Sequence, residues 1–160
     1  MEEKILKVLC YNMTIPSAHV FLVRFLKAAH ADRKMVKLSC YILDGTLQSY
    51  TLLHYKPSQL AAAAVLIARK VVGRNAWSPT LRKYAGYNEE DIIPVARAIV
   101  AEKSSSTMGS DGLEKKYSSS RYGGIARTPI EVDLWKQSVI SRVWECEWIQ
   151  RKGKEWKNKP

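Results

Sequence analysis

The longest apolar stretch in the chain runs Leu60-Ala61-Ala62-Ala63-Ala64-Val65-Leu66-Ile67-Ala68, and no charged residue appears between Gln59 and Arg69. Pro57 suits the first position of a helix, where its missing N–H would have no intrahelical partner. Alanine and leucine are the strongest helix formers. The pattern therefore predicts a helix that is apolar on every side, and such a helix must be surrounded by protein or lipid. At roughly ten residues it falls well short of the ~20 needed to cross a bilayer, so the surrounding medium is protein. The small alanine side chains let neighbours approach from several directions. One central helix ringed by others is the implied architecture.

Flanking segments carry apolar residues at helical spacing. Residues 2–11 place Ile5, Leu6, Val8 and Leu9 on one broad face and stop near Asn12, ahead of Pro16. Ser17 is a candidate N-cap for a mostly buried helix with Val20, Phe21, Val23, Phe25, Leu26, Ala28 and Ala29, ending in a turn at residues 30–34. Asp32 caps the next helix, expected to run to about residue 54 with Met35, Leu38, Ile42, Leu47, Tyr50 and Leu53 among its apolar contacts. Gly45 would sit inside it at a cost of about 1 kcal/mol relative to alanine. Gly73 and Asn75 close the central helix, Trp77 is expected to be buried, and Ser78-Pro79 opens a short helix ended by Gly86. Asn88 begins another, with Glu89, Glu90 and Asp91 at the positive end of its dipole and Pro94 expected to kink it. Residues 104–112 read as a loop, followed by a short helical turn over 113–117. No alternating β pattern appears, so the class is all-α.

A chain of 160 residues with 46% hydrophobic composition can build one real core. Its net charge of +11 is compatible with nucleic acid, an acidic partner or a solvated surface. The cations are spread along the whole chain, which favours the solvated surface and makes nucleic acid an unlikely partner. Cys10, Cys40 and Cys146 are odd in number and widely spaced, which fits a reduced compartment. Met1-Glu2-Glu3-Lys4 lacks the pattern of a secretory signal, and no apolar stretch reaches membrane-spanning length. A location in nucleus and cytoplasm is expected.

Reactive constellations are missing from the pattern. His19, His30 and His54 fall on different predicted elements, without a carboxylate or cysteine at metal-ligand spacing. No serine or cysteine is set beside a histidine and an orienting acid, and the glycines form no phosphate loop. Glu89, Glu90 and Asp91 are better explained as helix-start charges than as an acid–base pair. No catalytic residue, metal or cofactor is expected. The serines at 104–106 and 118–120, with Thr107, offer hydroxyls for phosphate, although solvated loop chemistry also accounts for them. Lys115, Lys116 and Arg121 interleave with Tyr117 and Tyr122, a pattern shared by nucleic-acid surfaces and by packing segments.

Five ordered pieces resemble a known family. They are Glu2 with Ile5-Leu6-Lys7-Val8-Leu9-Cys10-Tyr11-Asn12; Pro16 with Phe21-Leu22-Val23-Arg24-Phe25-Leu26-Lys27-Ala28; Tyr55-Lys56-Pro57-Ser58 with Ala61-Ala62-Ala63; Trp77-Ser78-Pro79-Thr80-Leu81 with Tyr84-Ala85-Gly86-Tyr87; and Lys116-Tyr117-Ser118-Ser119-Ser120-Arg121-Tyr122. Together, over residues 2–126, they resemble the C-terminal half of mitotic cyclins, nearest the B and A types. The resemblance implies a five-helix cyclin box around a central buried helix, plus a partial N-terminal helix. Residues 1–13 would be the last helix of a missing N-terminal box, residues 14–126 the C-terminal box, and residues 127–160 a Trp-rich basic tail.

The resemblance also implies a function. The chain would be a non-catalytic regulatory subunit of a cyclin-dependent serine/threonine kinase in cell-cycle control, a truncated B-type-like cyclin. Glu2 falls at the position of the family's kinase-contacting glutamate, whose lysine partner belongs to the missing box, so the lone chain is expected to bind kinase weakly or not at all. The alternative is a cyclin-box adaptor binding nucleic acid or a transcription complex, since this box also occurs in general transcription factors. Gly45 stands where the family prefers a larger apolar residue. The tail, with Trp135, Trp144, Trp148 and Trp156, has no counterpart in the family. Its apolar spacing suits an amphipathic helix, and three readings stay open: a helix docked on the box, a membrane-surface or partner-binding helix, and sequence from an incomplete or extended gene model.

Overall fold

The computed structural model describes residues 1–74, 77–104 and 111–130. Its α-helices are α1 (Glu2–Val8), α2 (Ala18–Ala28), α3 (Arg33–Thr46), α4 (Pro57–Val71), α5 (Pro79–Ala85), α6 (Glu89–Ser104) and α7 (Asp111–Ser118). Three short 3-10 turns, Tyr50–His54, Ser120–Tyr122 and Ile125–Arg127, complete the described elements, and no strand occurs among the described residues. Residues 131–160, with the predicted tail helix and its tryptophans, lie outside the described residues, as do Asn75 and residues 105–110.

The predicted central rod is α4. Every residue from Leu60 to Arg69 is buried, and Ala61 through Ala68 have no exposed surface at all. Helices α2, α3 and α6 pack around it. Each turns one face inward at the i, i+3, i+4, i+7 spacing of an amphipathic helix: Leu22, Phe25 and Leu26 from α2 with Ala29 at its C-cap, and Ile92, Val95, Ala96, Ile99 and Val100 from α6. The alanines thus answer a geometric demand, because small side chains at Ala61–Ala64 let three neighbouring helices approach α4 closely, while Val65, Leu66 and Ile67 fill the space left between them.

The ends of the helices are fixed by local chemistry. The Ser78 hydroxyl accepts the Leu81 N–H at 3.2 Å, satisfying one of the first-turn donors of α5 that lack helical partners. Gly86 ends that helix at φ 73°, a left-handed turn suited to glycine. The Asp91 carboxylate accepts the Asn88 N–H at 3.0 Å at the start of α6, and α6 then continues through the exposed Pro94. Ser78→Ala is expected to cost about 1 kcal/mol, read as a drop of a few degrees in the thermal midpoint with the far-ultraviolet spectrum unchanged.

Arg69 and Arg74 reach from the end of α4 to the end of α2. They donate to the carbonyls of Ala29 (3.4 Å) and His30 (3.2 Å), where carbonyls have run out of helical partners and cations meet the negative end of the dipole. Arg74 also lies 3.8 Å from Asp32. The chain reverses there through His30 at φ 47°.

Four expectations need correction. The helix after Asp32 does not reach residue 54. It ends at Thr46, whose hydroxyl donates back to the Leu43 carbonyl at 2.7 Å, and the chain re-forms as the 3-10 turn Tyr50–His54. Ser49 and Thr51 pin that turn by donating to the Glu102 carboxylate at 3.0 and 2.6 Å. Leu47, Tyr50 and Leu53 are consequently exposed. Gly45 lies in the last turn of α3, buried beside Ile42, Ile67 and Ile99 at a cavity of about 20 Å³, the size that admits a single water. Val20 and Val23 of α2 face outward, and Trp77 is half-buried.

Candidate docking surface

Four of the five motif pieces are structural in this fold. Ser58 Oγ and Tyr87 Oη share a hydrogen bond of 2.8 Å, and Trp77 Nε1–H donates to the Tyr87 carbonyl at 3.0 Å. These bonds tie the start of α4 to the α5–α6 connection. The piece around Tyr117 ties α7 to α3: the Tyr117 hydroxyl and the Lys116 ammonium both donate to Asp44 Oδ2, at 2.8 and 2.9 Å. Tyr117 packs on Tyr41 and Tyr122 with ring centroids 5.1 and 4.7 Å apart, and Lys103 lies over the Tyr41 ring at 4.4 Å. Lys37 closes the far end by donating to the Arg121 carbonyl at 2.8 Å. The interleaved cations and aromatics are therefore a packing clamp.

Burial decides the electrostatics of this clamp. It pulls the Lys103 ammonium down to about 8, against a weaker upward pull from Glu114. Burial, with the bond to Asp44, pushes the Tyr117 phenol up, and burial beside Asp44 raises the Cys40 thiol.

The fifth piece is α1, and it behaves differently. None of its residues is buried. Glu2 stands exposed in the first turn, without an ion pair among the described residues, while Glu3 and Lys7 pair at 2.7 Å on the open surface. Such a pair contributes little to stability. Met1, Ile5, Val8 and Leu9 form a stripe at helical spacing, with Val8 82% exposed, and Met13 and Ile15 extend it toward α2. Beyond Pro16, Val20 and Val23 of α2 and Tyr84 of α5 line an open groove with Arg24, Lys27 and His30. Exposed apolar side chains grouped along one helix face are the kind of surface that marks an interaction site. The structure thus places Glu2 at the head of an exposed apolar stripe, and the sequence did not signal that Val20 and Val23 are exposed as well.

His19, His30 and His54 are exposed at separate places, and no described group of histidine, cysteine, aspartate or glutamate is arranged to hold a metal. Cys10 and Cys40 are free thiols. No helix among the described residues is long and apolar enough to cross a membrane. Asp44, the hub of the clamp, was not anticipated from the sequence. Its signal was that it is the one charged residue between Leu38 and Leu47.

A set of five helices, α2–α6, wound on a buried α4 and followed by a clamped α7, is the architecture of a cyclin box. Residues 16–131 match the family described as "Cyclin, C-terminal domain", and the chain belongs to the cyclin family. It is 37% identical over 130 residues to Cyclin-B2-3 of Arabidopsis thaliana, covering 80% of this chain and 30% of that protein. It is 38% identical over 130 residues to Cyclin-B2-1 of Oryza sativa subsp. japonica, covering 80% and 31%. The G2/mitotic-specific cyclin-1 of Medicago sativa subsp. varia is 36% identical over 129 residues, covering 79% and 30%. The chain spans about 30% of the length of these relatives.

Proposed function

We propose that the chain is a non-catalytic regulatory module of the cell cycle that acts on a cyclin-dependent serine/threonine kinase. The match of residues 16–131 to the cyclin C-terminal domain carries this reading, and the mitotic-specific relative supports its placement in cell division. The physical part played by this chain is support. Its buried α4 makes a rigid spool, and α1 presents Glu2 and the Ile5–Val8–Leu9 stripe as an edge against which a further helix bundle and the kinase can close. Activation by such a partner is a population shift: contacts made only in the active arrangement of the kinase draw it into that arrangement.

The expectation is that the lone chain retains a cyclin-dependent kinase weakly or not at all in a pull-down. The same chain fused behind an N-terminal cyclin box should retain it strongly. Tight retention by the lone chain, or none by the fusion, would overturn the proposal. Raising ionic strength separates the nucleic-acid alternative, since phosphate binding through lysines weakens steeply with salt whereas docking through an apolar edge does not.

A further inference from the structure

Three serines, Ser118, Ser119 and Ser120, follow the last cations of α7, and the docking surface makes no use of them. Ser119 stands apart from its neighbours. It is exposed, whereas Ser118 is half-buried. Its backbone is extended, at φ −67° and ψ 154°, and its hydroxyl donates to the Lys116 carbonyl at 2.9 Å. Lys116 and Lys115 precede it by three and four positions and Arg121 follows by two, while Ser120 has Tyr117 three positions before it. An accessible hydroxyl on extended backbone, with cations placed ahead of it, fits an enzyme whose substrate groove is lined with carboxylates, because charge-assisted hydrogen bonds then fix the register.

We propose that Ser119 is a phosphate-acceptor site for a basophilic serine/threonine kinase, gated by the Lys116–Asp44 clamp. The reaction forms a bond between Ser119 Oγ and the γ-phosphorus of a nucleoside triphosphate and breaks the bond from that phosphorus to the β–γ bridging oxygen. The hydroxyl proton passes to the enzyme's base and the nucleoside diphosphate departs. The gate arises because Lys116, the cation such an enzyme must read, is held 2.9 Å from Asp44 Oδ2 and lies against the Tyr117 ring at 4.9 Å. Engagement requires the end of α7 to open first, a local event of the kind that precedes modification of structured segments.

Once attached, the phosphate keeps the segment open. It removes the Ser119–Lys116 hydrogen bond and sets a dianion against the carbonyls at the C-terminal end of α7, where negative charge is unfavourable. It also draws the Lys116 ammonium away from Asp44. The Tyr117 hydroxyl is left as the remaining donor of the pair to that carboxylate, and Ser119, the residue before the Ser120–Tyr122 turn, loses the side-chain bond that ties it to α7.

The test incubates the purified chain with ATP and the catalytic subunit of a basophilic serine/threonine kinase and maps phosphate by mass spectrometry. Incorporation at Ser119 is expected and should vanish in Ser119→Ala. Asp44→Asn, which keeps the shape but releases Lys116, should speed it about tenfold, the worth of one charged hydrogen bond. Lys116→Ala also opens the clamp but removes the cation that is read, so it should slow the reaction by a similar factor. Buried Ser39 reports general unfolding and should stay unmodified throughout. Hydrogen exchange of the phosphorylated chain should quicken over residues 113–125. Absence of phosphate on Ser119, phosphate on Ser39 in Asp44→Asn, an unchanged Asp44→Asn rate, faster modification of Lys116→Ala, or unchanged exchange would each overturn the proposal. None of these readouts involves the cyclin-dependent kinase, so they stand apart from the functional reading above.

Discussion

Cutting Leu66 back to alanine is expected to cost about 3–5 kcal/mol, lowering the thermal midpoint by roughly 10 °C or more. Leu66 has no exposed surface and sits in the enclosed length of α4, so the lost methylenes leave a hole that helices on three sides cannot all move to fill. The companion substitution runs the other way. Ala63→Leu adds side chain where α2, α3 and α6 already meet α4, and overpacking of this kind costs about 1–3 kcal/mol. A partly exposed helix would respond differently: Ala63→Leu would then be neutral or stabilising, as leucine is nearly as good a helix former as alanine. Thermal denaturation of the two variants therefore tests the central feature of the fold from both sides. A destabilised Leu66→Ala with an unaffected Ala63→Leu would mean that α4 is buried on one face only.

That feature was legible because it needs no knowledge of partners. A charge-free run too short for a membrane has one physical solution, and Pro57, Ser78 and Gly86 mark helix ends by backbone chemistry that acts within a few residues. What was not legible depends on contacts distant in sequence. The helix from Arg33 stops at Thr46 because Ser49 and Thr51 find Glu102 about fifty residues on; the apolar spacing of Leu47, Tyr50 and Leu53 gave no warning. Val20 and Val23 read as core because hydrophobicity does not say which apolar face a neighbour will cover. Gly45 looked like an interior defect and proves to be a residue in the last turn of α3, where the helix is ending in any case. Glu2 could be placed by resemblance, yet its setting at the head of an open apolar edge emerges only when α1 is seen to bury nothing.

Asp44 is the clearest case of chemistry hidden from the sequence, since its tyrosine partner lies 73 residues away. Asp44→Ala is expected to cost about 1–3 kcal/mol, because it leaves the hydroxyl of a nearly buried tyrosine without its acceptor. Tyr117→Phe alone should cost less, about 1 kcal/mol, and in the Asp44→Ala background it should be neutral or stabilising, since it removes the orphaned hydroxyl. The double-mutant cycle should return a coupling of about 1–2 kcal/mol; additive effects would show that the contact contributes nothing to stability. An alkaline titration adds an independent reading. Lys103 is held at about 8, below its ordinary 10.5, so the penalty of burying its charge is relieved between those values and stability should climb from pH 8. Opposing that climb, Cys40 is raised above its ordinary 9.0, and Tyr41 and Tyr117 above their ordinary 10.0. Each favours folding while protonated, and that contribution fades once the unfolded chain ionises more readily than the folded one. The midpoint should therefore rise past pH 8 and turn downward past pH 10. Lys103→Met should flatten the rise to the share left by Lys70, whose ammonium burial also holds below its ordinary 10.5, and Tyr117→Phe should make the fall shallower without removing the share due to Cys40 and Tyr41.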